Sequence, residues 1–478
     1  MMTAVSGSVT VGIDIGTTAV KAVAVDDSGE VLARSRIPHK LISPAPDLLE
    51  HDASRAWRRG PLQALAAVRS PGDQLDGVCV CSMVPSLTAV DRRGRPQVPG
   101  LLYGDGRGRG NRFAASSPDE PGTLSTSDVL PDSEGFLRWA VAEAPGAHGY
   151  WPAQAVANFA LSGVAAIDSG VAMMSASLLS AGQWDVAKLG KIGVNAAQMP
   201  LIVNMGARAG TVTGTDAALA GGTVDAMCDQ IVSGADNTGD VLVICGATLI
   251  VWAVVDDWID VPGLWTVPHT VAGKVLVGGP SNAGALFVDW ARSLLHGSRR
   301  LPTSRRANRL GAVTEDPGQA PRRGHPDRVP VWTPYLRGER VPYNDTSLRS
   351  SLQGLDITHD ADALERAAYE STGFVVRHML DLGQIKARRI VASGGGTRVT
   401  PWMQAMADAS GLPVDVVKVH EGSALGAAFL ARMAAGLEES LDDARRWARV
   451  GYRVEPDAAW QEAADERYVR YRALGPGN

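Results

Sequence analysis

A chain of 478 residues exceeds what one compact core accommodates and predicts two or three domains, of which an internal echo over Val241 to Asp257 favours two. With 45% hydrophobic and 20% charged residues it is neither a disordered chain nor a coiled coil, and a net charge of −5 gives no reason to expect nucleic acid or an anionic membrane as partner. Any phosphate site must therefore be local. The first residues, Met1 to Ser8, lack a basic start followed by an apolar stretch, and the longest apolar runs break before the roughly 20 residues that span a bilayer. The expectation is a cytoplasmic protein. Cys79, Cys81, Cys228 and Cys245 lie in apolar surroundings, and no second ligand pair follows Cys79-Val80-Cys81, so they read as buried thiols rather than a metal clip.

Val9 to Arg36 alternates as a three-strand meander with a small turn, Gly16-Thr17-Thr18, between its first two strands. Ala53 to Val68 reads as an amphipathic helix and Leu75 to Ser82 as a buried strand, kinked at Met83-Val84-Pro85-Ser86 before resuming at Leu87 to Asp91. Residues 106–135 are rich in Gly, Ser, Pro and Asp and predict a loop or insertion. Helices are expected over Glu134 to Glu143, Ala153 to Leu161 and Asp216 to Ala220, then a strand over Thr223 to Met227 ending at Cys228-Asp229-Gln230. Val241 to Asp257 then repeats the opening strand–turn–strand, with Gly246 standing 230 positions after Gly16 (246 − 16). The Arg-, Pro- and Gly-rich stretch Ser298 to Arg328 reads most simply as a solvated loop, with a nucleotide-facing role as the alternative. A helix over Asp362 to Leu382, a strand at Arg389 to Ala392, the Gly394-Gly395-Gly396 turn and a helix from Pro401 to Ser410 follow.

Glycine-containing turns between strands expose backbone N–H groups and let a phosphate approach, so two such turns predict a polyphosphate held from both sides in a protein built by duplication. Asp14 is the asymmetry between the echoes, because Ile244 stands at its place in the second. A carboxylate beside a phosphate turn is an expected anchor for Mg²⁺, which takes one or two protein carboxylates plus phosphate oxygens; the simpler alternative is that it accepts turn N–H bonds. Gly16, Thr17 and Thr18 supply donors, and Lys21 a point charge. Asp229-Gln230, at a strand end leading into a helix, suits a base that takes a proton from an attacking alcohol, with the amide orienting that alcohol. A helix N-cap explains the same Asp equally well. The triple glycine permits a flat approach to a purine or ribose, or is only a tight turn.

The order of these parts resembles the FGGY family of carbohydrate kinases, within the sugar kinase, heat-shock and actin superfamily, and in particular its xylulokinase-like members. The resemblance runs from Val9 to Trp447 and rests on Gly12 to Thr18, Asp229-Gln230, Pro334 to Pro342, Ser393 to Gly396 with Trp402, Gln404 and Asp408, and Glu421 to Ala428. It implies an α/β protein of two actin-like (ribonuclease H-like) domains around a central cleft, with residues 1–237 holding sugar and 238–478 holding ATP. It further implies Asp229 as catalytic base, Asp14 near Mg²⁺, Gly246 and Thr248 as a second phosphate turn, and Gly284, Gly395 and Gly396 beside the nucleotide. The partner is then a small sugar, such as a pentulose, or a polyol; a homodimer is left open. A catalytically silent sugar or nucleotide sensor and an actin- or chaperone-type ATPase are the alternatives.

The acceptor region departs from the family. Xylulose kinases show Gln-Met-His-Gly where this chain has Met83-Val84-Pro85-Ser86, and glycerol kinases an Arg-Glu pair at Val84-Pro85. Val84 and Pro85 offer shape rather than hydrogen bonds, so glycerol is not expected and D-xylulose is in question. Met83, Tyr103, Asp105 and Gln230 complete the expected acceptor contacts, although a structural role accounts for Tyr103 equally well.

Overall fold

Seven of the eight residues of the Ser8–Ile15 strand are buried, the near-continuous apolar run of a strand covered on both faces. It pairs antiparallel with Ala19–Val25, which pairs antiparallel with Val31–Pro38, as the meander predicts. Gln74–Ser82 lies parallel on its other side and places Cys81 opposite Asp14. The sheet is completed by Ala218–Ala220 and Arg208–Thr211, with Thr223–Val224 pairing on the far end of Gln74–Ser82.

A second sheet repeats this core. Asp240–Cys245 and Leu249–Val255 form an antiparallel pair, Val275–Ser281 adds the third meander strand, and Arg389–Ser393 lies parallel beside Asp240–Cys245. The duplication legible in two turns therefore extends to a meander flanked by a parallel strand. The computed structural model describes residues 8–45, 48–70, 74–108, 133–296, 324–345 and 347–476. Most of the 106–135 loop and of the 298–328 stretch lies outside the described residues.

Two compact units result: the first from the described residues up to 108 with 133–232 and 421–448, the second from 233–420 and 449–476. The division differs from a single cut at 237/238, because the helix Gly422–Ala434 packs on Ser8–Ile15 and Gln74–Ser82. Glycine makes that packing close: a Cβ on Gly12 would stand 1.8 Å from the carbonyl oxygen of Ala424, and one on Gly77 2.4 Å from that of Ala431.

Three local expectations are corrected. Ala218–Ala220 is a strand rather than part of a helix over 216–220. Gly214, at φ 76°, turns the chain back from Arg208–Thr211 into a hairpin, and Leu219 finds a parallel partner in Val78. The strand expected over 223–227 ends at Val224, and the helix Asp225–Ser233 begins at once. The expected helix over 53–68 opens with a π-helical turn, Ser54–Arg59, ahead of Pro61, whose missing N–H cannot continue the α ladder. The four cysteines are free and buried.

Candidate active site

In the first unit the antiparallel register sets Asp14 directly opposite Lys21, and Lys21 Nζ donates to Asp14 Oδ2 at 3.1 Å. Asp14 is the main cause that holds the Lys21 ammonium above its ordinary pKa, so the charge stays on the amine and is first of all a counter-ion to Asp14.

The turn after Asp14 is fixed from outside. Gly16 N–H donates to Ala19 O at 3.1 Å and His39 N–H to Thr18 O at 3.1 Å. Trp57 Nε1–H can only donate, and it meets His51 Nδ1 at 3.0 Å; His51 therefore carries its proton on Nε2 and donates to Thr17 O at 2.8 Å. Burial, then the neighbouring His39, pushes His51 down to about 4, which keeps this imidazole neutral. The hydroxyls of Thr17 and Tyr103 stand 2.9 Å apart and tie the turn to the expected acceptor region.

Because the helix Asp225–Ser233 starts early, Asp229 sits in its second turn rather than at its N-cap. It is 2% exposed, and the Ser423 hydroxyl, carried by Gly422–Ala434, donates to its Oδ2. Asp225 lies one helical turn before it on the same face. Burial first, and then Asp14, pushes the Asp225 carboxyl up to about 7, with Asp229 adding to the rise. Reading the helix from 225 would have exposed this Asp-x-x-x-Asp pair in the sequence; a strand over 223–227 hid it.

Met83 is buried, whereas Val84 and Pro85 are half-buried at the kink after Gln74–Ser82. Gln230 is buried beside Asp229. Asp105 is committed within the protein: its carboxylate accepts from Leu49 N–H at 2.6 Å, and from Arg107 Nε at 2.9 Å and Arg107 Nη2 at 2.7 Å. Arg107 also meets Glu50 at 2.8 Å and lies over the Trp139 ring. Asp105 thus positions an arginine that the sequence reading did not single out.

In the second unit the nucleotide candidates collect around the end of Asp240–Cys245. Ala285 N–H donates to Gly246 O at 2.9 Å and Leu286 N–H to Ala247 O at 3.1 Å, which seats the helix Ala285–His296 on the turn. A Cβ on Gly284 would lie 2.2 Å from the carbonyl carbon of Thr248, so Gly246, Thr248 and Gly284 form one close-packed group. Gly394 and Gly396 pack against Cys245, and around Gly395 there is open space apart from the end of Arg398. Glu339, from the Pro334 to Pro342 stretch, is buried and accepts from Ser281 Oγ at 2.6 Å and Asn282 N–H at 2.8 Å, bracing the approach to Gly284. Trp402, Gln404 and Asp408 are structural: Trp402 Nε1 donates to Thr372 at 2.6 Å, and Asp408 accepts from Gln404 at 2.8 Å and Arg366 at 2.8 Å.

A divalent cation fits the first unit in one form. Among the described residues no three His, Cys, Asp or Glu side chains converge as a closed cage. Asp14 nevertheless adds to the cost of ionising Asp225, which the Ala226 N–H and Lys21 offset only in part, so Mg²⁺ held by a carboxylate, water and phosphate oxygens would match the donor set.

Residues 9–112 match the N-terminal domain, and residues 241–435 the C-terminal domain, of the FGGY family of carbohydrate kinases. The chain is 23% identical over 454 residues to a xylulose kinase of Staphylococcus xylosus, covering 88% of this chain and 90% of that one. It is 26% identical over 524 residues to a glycerol kinase of Methylobacterium radiotolerans, covering 95% and 97%. The solved xylulose kinase of Rhodospirillum rubrum superposes with a TM-score of 0.72 at 25% identity, over 98% of each chain.

Proposed function

Because the chain belongs to the FGGY family of carbohydrate kinases, matched by both domain models in order, we propose that it transfers the γ-phosphate of ATP to a hydroxyl of a small ketose, such as a pentulose, or of a polyol, with Asp229 as general base. The observation that carries the reading is the buried Asp229 carboxylate, which shares a helix with Gln230 and receives the Ser423 hydroxyl from a second helix. As the acceptor oxygen forms its bond to phosphorus, its proton passes to Asp229, and the ester oxygen leaves with the nucleotide diphosphate. Ser423 holds the carboxylate in the orientation that accepts this proton, and Gln230 offers an amide to the acceptor. When bound, Mg²⁺ with the triphosphate supplies the electrophilic phosphoryl group and neutralises its charge. Asp14 would hold the cation, Lys21 is the counter-ion that meets its carboxylate, and the Gly16-Thr17-Thr18 turn presents donors from a backbone fixed by His51. Gly246, Thr248, Gly284, Gly395 and Gly396 allow close approach of the nucleotide to the second-unit backbone.

Asp229→Asn tests the assignment. The variant keeps its affinity for an ATP analogue by calorimetry and loses acceptor phosphorylation by about 10²-fold or more in a coupled ADP assay. Retained turnover removes Asp229 from the base role.

A further inference from the structure

Directly behind Val84 and Pro85 the first unit contains a cavity of about 30 Å³. That is room for one methyl-sized group. Its walls are apolar: Phe136, Leu137, Val171, Leu178 and Met199 join Val84 and Pro85. The polar atoms of the lining are largely engaged elsewhere. Ser86 Oγ accepts from Ala153 N–H at 3.1 Å, Ser133 Oγ donates to Met174 O at 2.8 Å, and Trp184 Nε1 donates to Pro200 O at 2.7 Å. Proline at 85 has no N–H, which leaves the half-buried Ser175 and the O–H of the buried Ser86 as the hydroxyl donors of an otherwise apolar lining. The short helix Ser169–Met173 joins the cavity to the catalytic helix: Val171 lines the one, while a Cβ on its neighbour Gly170 would stand 2.8 Å from Met227 Sδ, two residues before Asp229.

We infer that this cavity receives an apolar end of the acceptor, so that the substrate class is a deoxy sugar or deoxy polyol whose chain ends in a methyl group. A hydroxyl placed there exchanges water for walls with few free partners, whereas a methyl leaves water for apolar contacts. The half-buried Val84 and Pro85 are then selective residues: they make the mouth of a methyl pocket where the family's xylulose and glycerol kinases carry polar groups. The inference deepens the kinase reading and rests on it for the turnover arm alone.

The test uses pairs of ketoses and polyols that differ only in a terminal CH₃ or CH₂OH. Affinities are measured by calorimetry without nucleotide, and kcat/KM with ATP. The expected result is a preference of about tenfold or more for the methyl member in both, the scale of one group in an apolar pocket. Val84→Thr, nearly isosteric, narrows or inverts the preference, and Val171→Leu, which fills the cavity, weakens the methyl member selectively. Equal binding of each pair, or preference for the hydroxyl member, overturns the inference while turnover leaves the kinase reading standing. Absence of turnover with a retained methyl preference in binding overturns the kinase reading and supports the pocket.

Discussion

Replacing Asp225 by Asn stabilises the protein above neutral pH, at a site where a carboxyl is held up to about 7 from an ordinary 3.8 by burial, Asp14 and Asp229, against Ala226 N–H and Lys21. Below pH 3.8 the folded and unfolded chains both keep this proton. Between 3.8 and about 7 the folded chain keeps it and the unfolded chain loses it, so unfolding free energy falls as pH rises through that window; above it the loss is complete. The shift sets an upper bound of roughly 4 kcal/mol, and for a half-buried group solvent screening brings the expected effect nearer roughly 2 kcal/mol. Asn retains an oxygen for Ala226 N–H, which meets Asp225 Oδ1 at 2.7 Å, so the cap contact survives. Urea unfolding of both proteins at several pH values from 4 to 8.5, without divalent cation, isolates the term as a difference. The variant matches the parent near pH 4 and gains steadily to pH 8. A difference independent of pH refutes the claim that Asp225 carries the strain of the carboxylate cluster.

Ser423→Ala removes the donor to Asp229; kcat falls about tenfold, the scale of a hydrogen bond to a charged group, while affinity for an ATP analogue by calorimetry is retained. Gly284→Ala forces a Cβ into the Thr248 backbone, so nucleotide affinity measured by calorimetry drops by about tenfold or more while acceptor binding to the first unit is retained. Trp57→Phe leaves His51 Nδ1 without its donor; the expected cost is about 1 kcal/mol in urea unfolding, accompanied by weaker phosphate-turn protection in amide exchange at Thr17 and Thr18.

The long apolar strands were legible because both faces of each sheet are covered, which writes burial as uninterrupted runs such as Val9 to Ile15. The turns Gly16-Thr17-Thr18 and Gly246-Ala247-Thr248 were legible as breaks between paired strands because glycine spacing is a local property of the backbone. Short elements were not. Ala218–Ala220 has too few residues to show a period, and its partner, Gln74–Ser82, lies about 140 positions earlier in the chain. The same ambiguity moved the start of the helix that carries Asp229 to Asp225.

By itself the sequence determined the duplication, the asymmetric Asp14 and the candidate residues at each turn, since each follows from local pattern. Tertiary structure alone decided that Ser423 orients Asp229 from 194 positions away, that Asp105 is engaged by Arg107, and that a small apolar cavity backs Val84 and Pro85. Those facts depend on which distant side chains meet after the sheets and helices pack, and neither hydrophobic period nor spacing along one chain encodes such meetings.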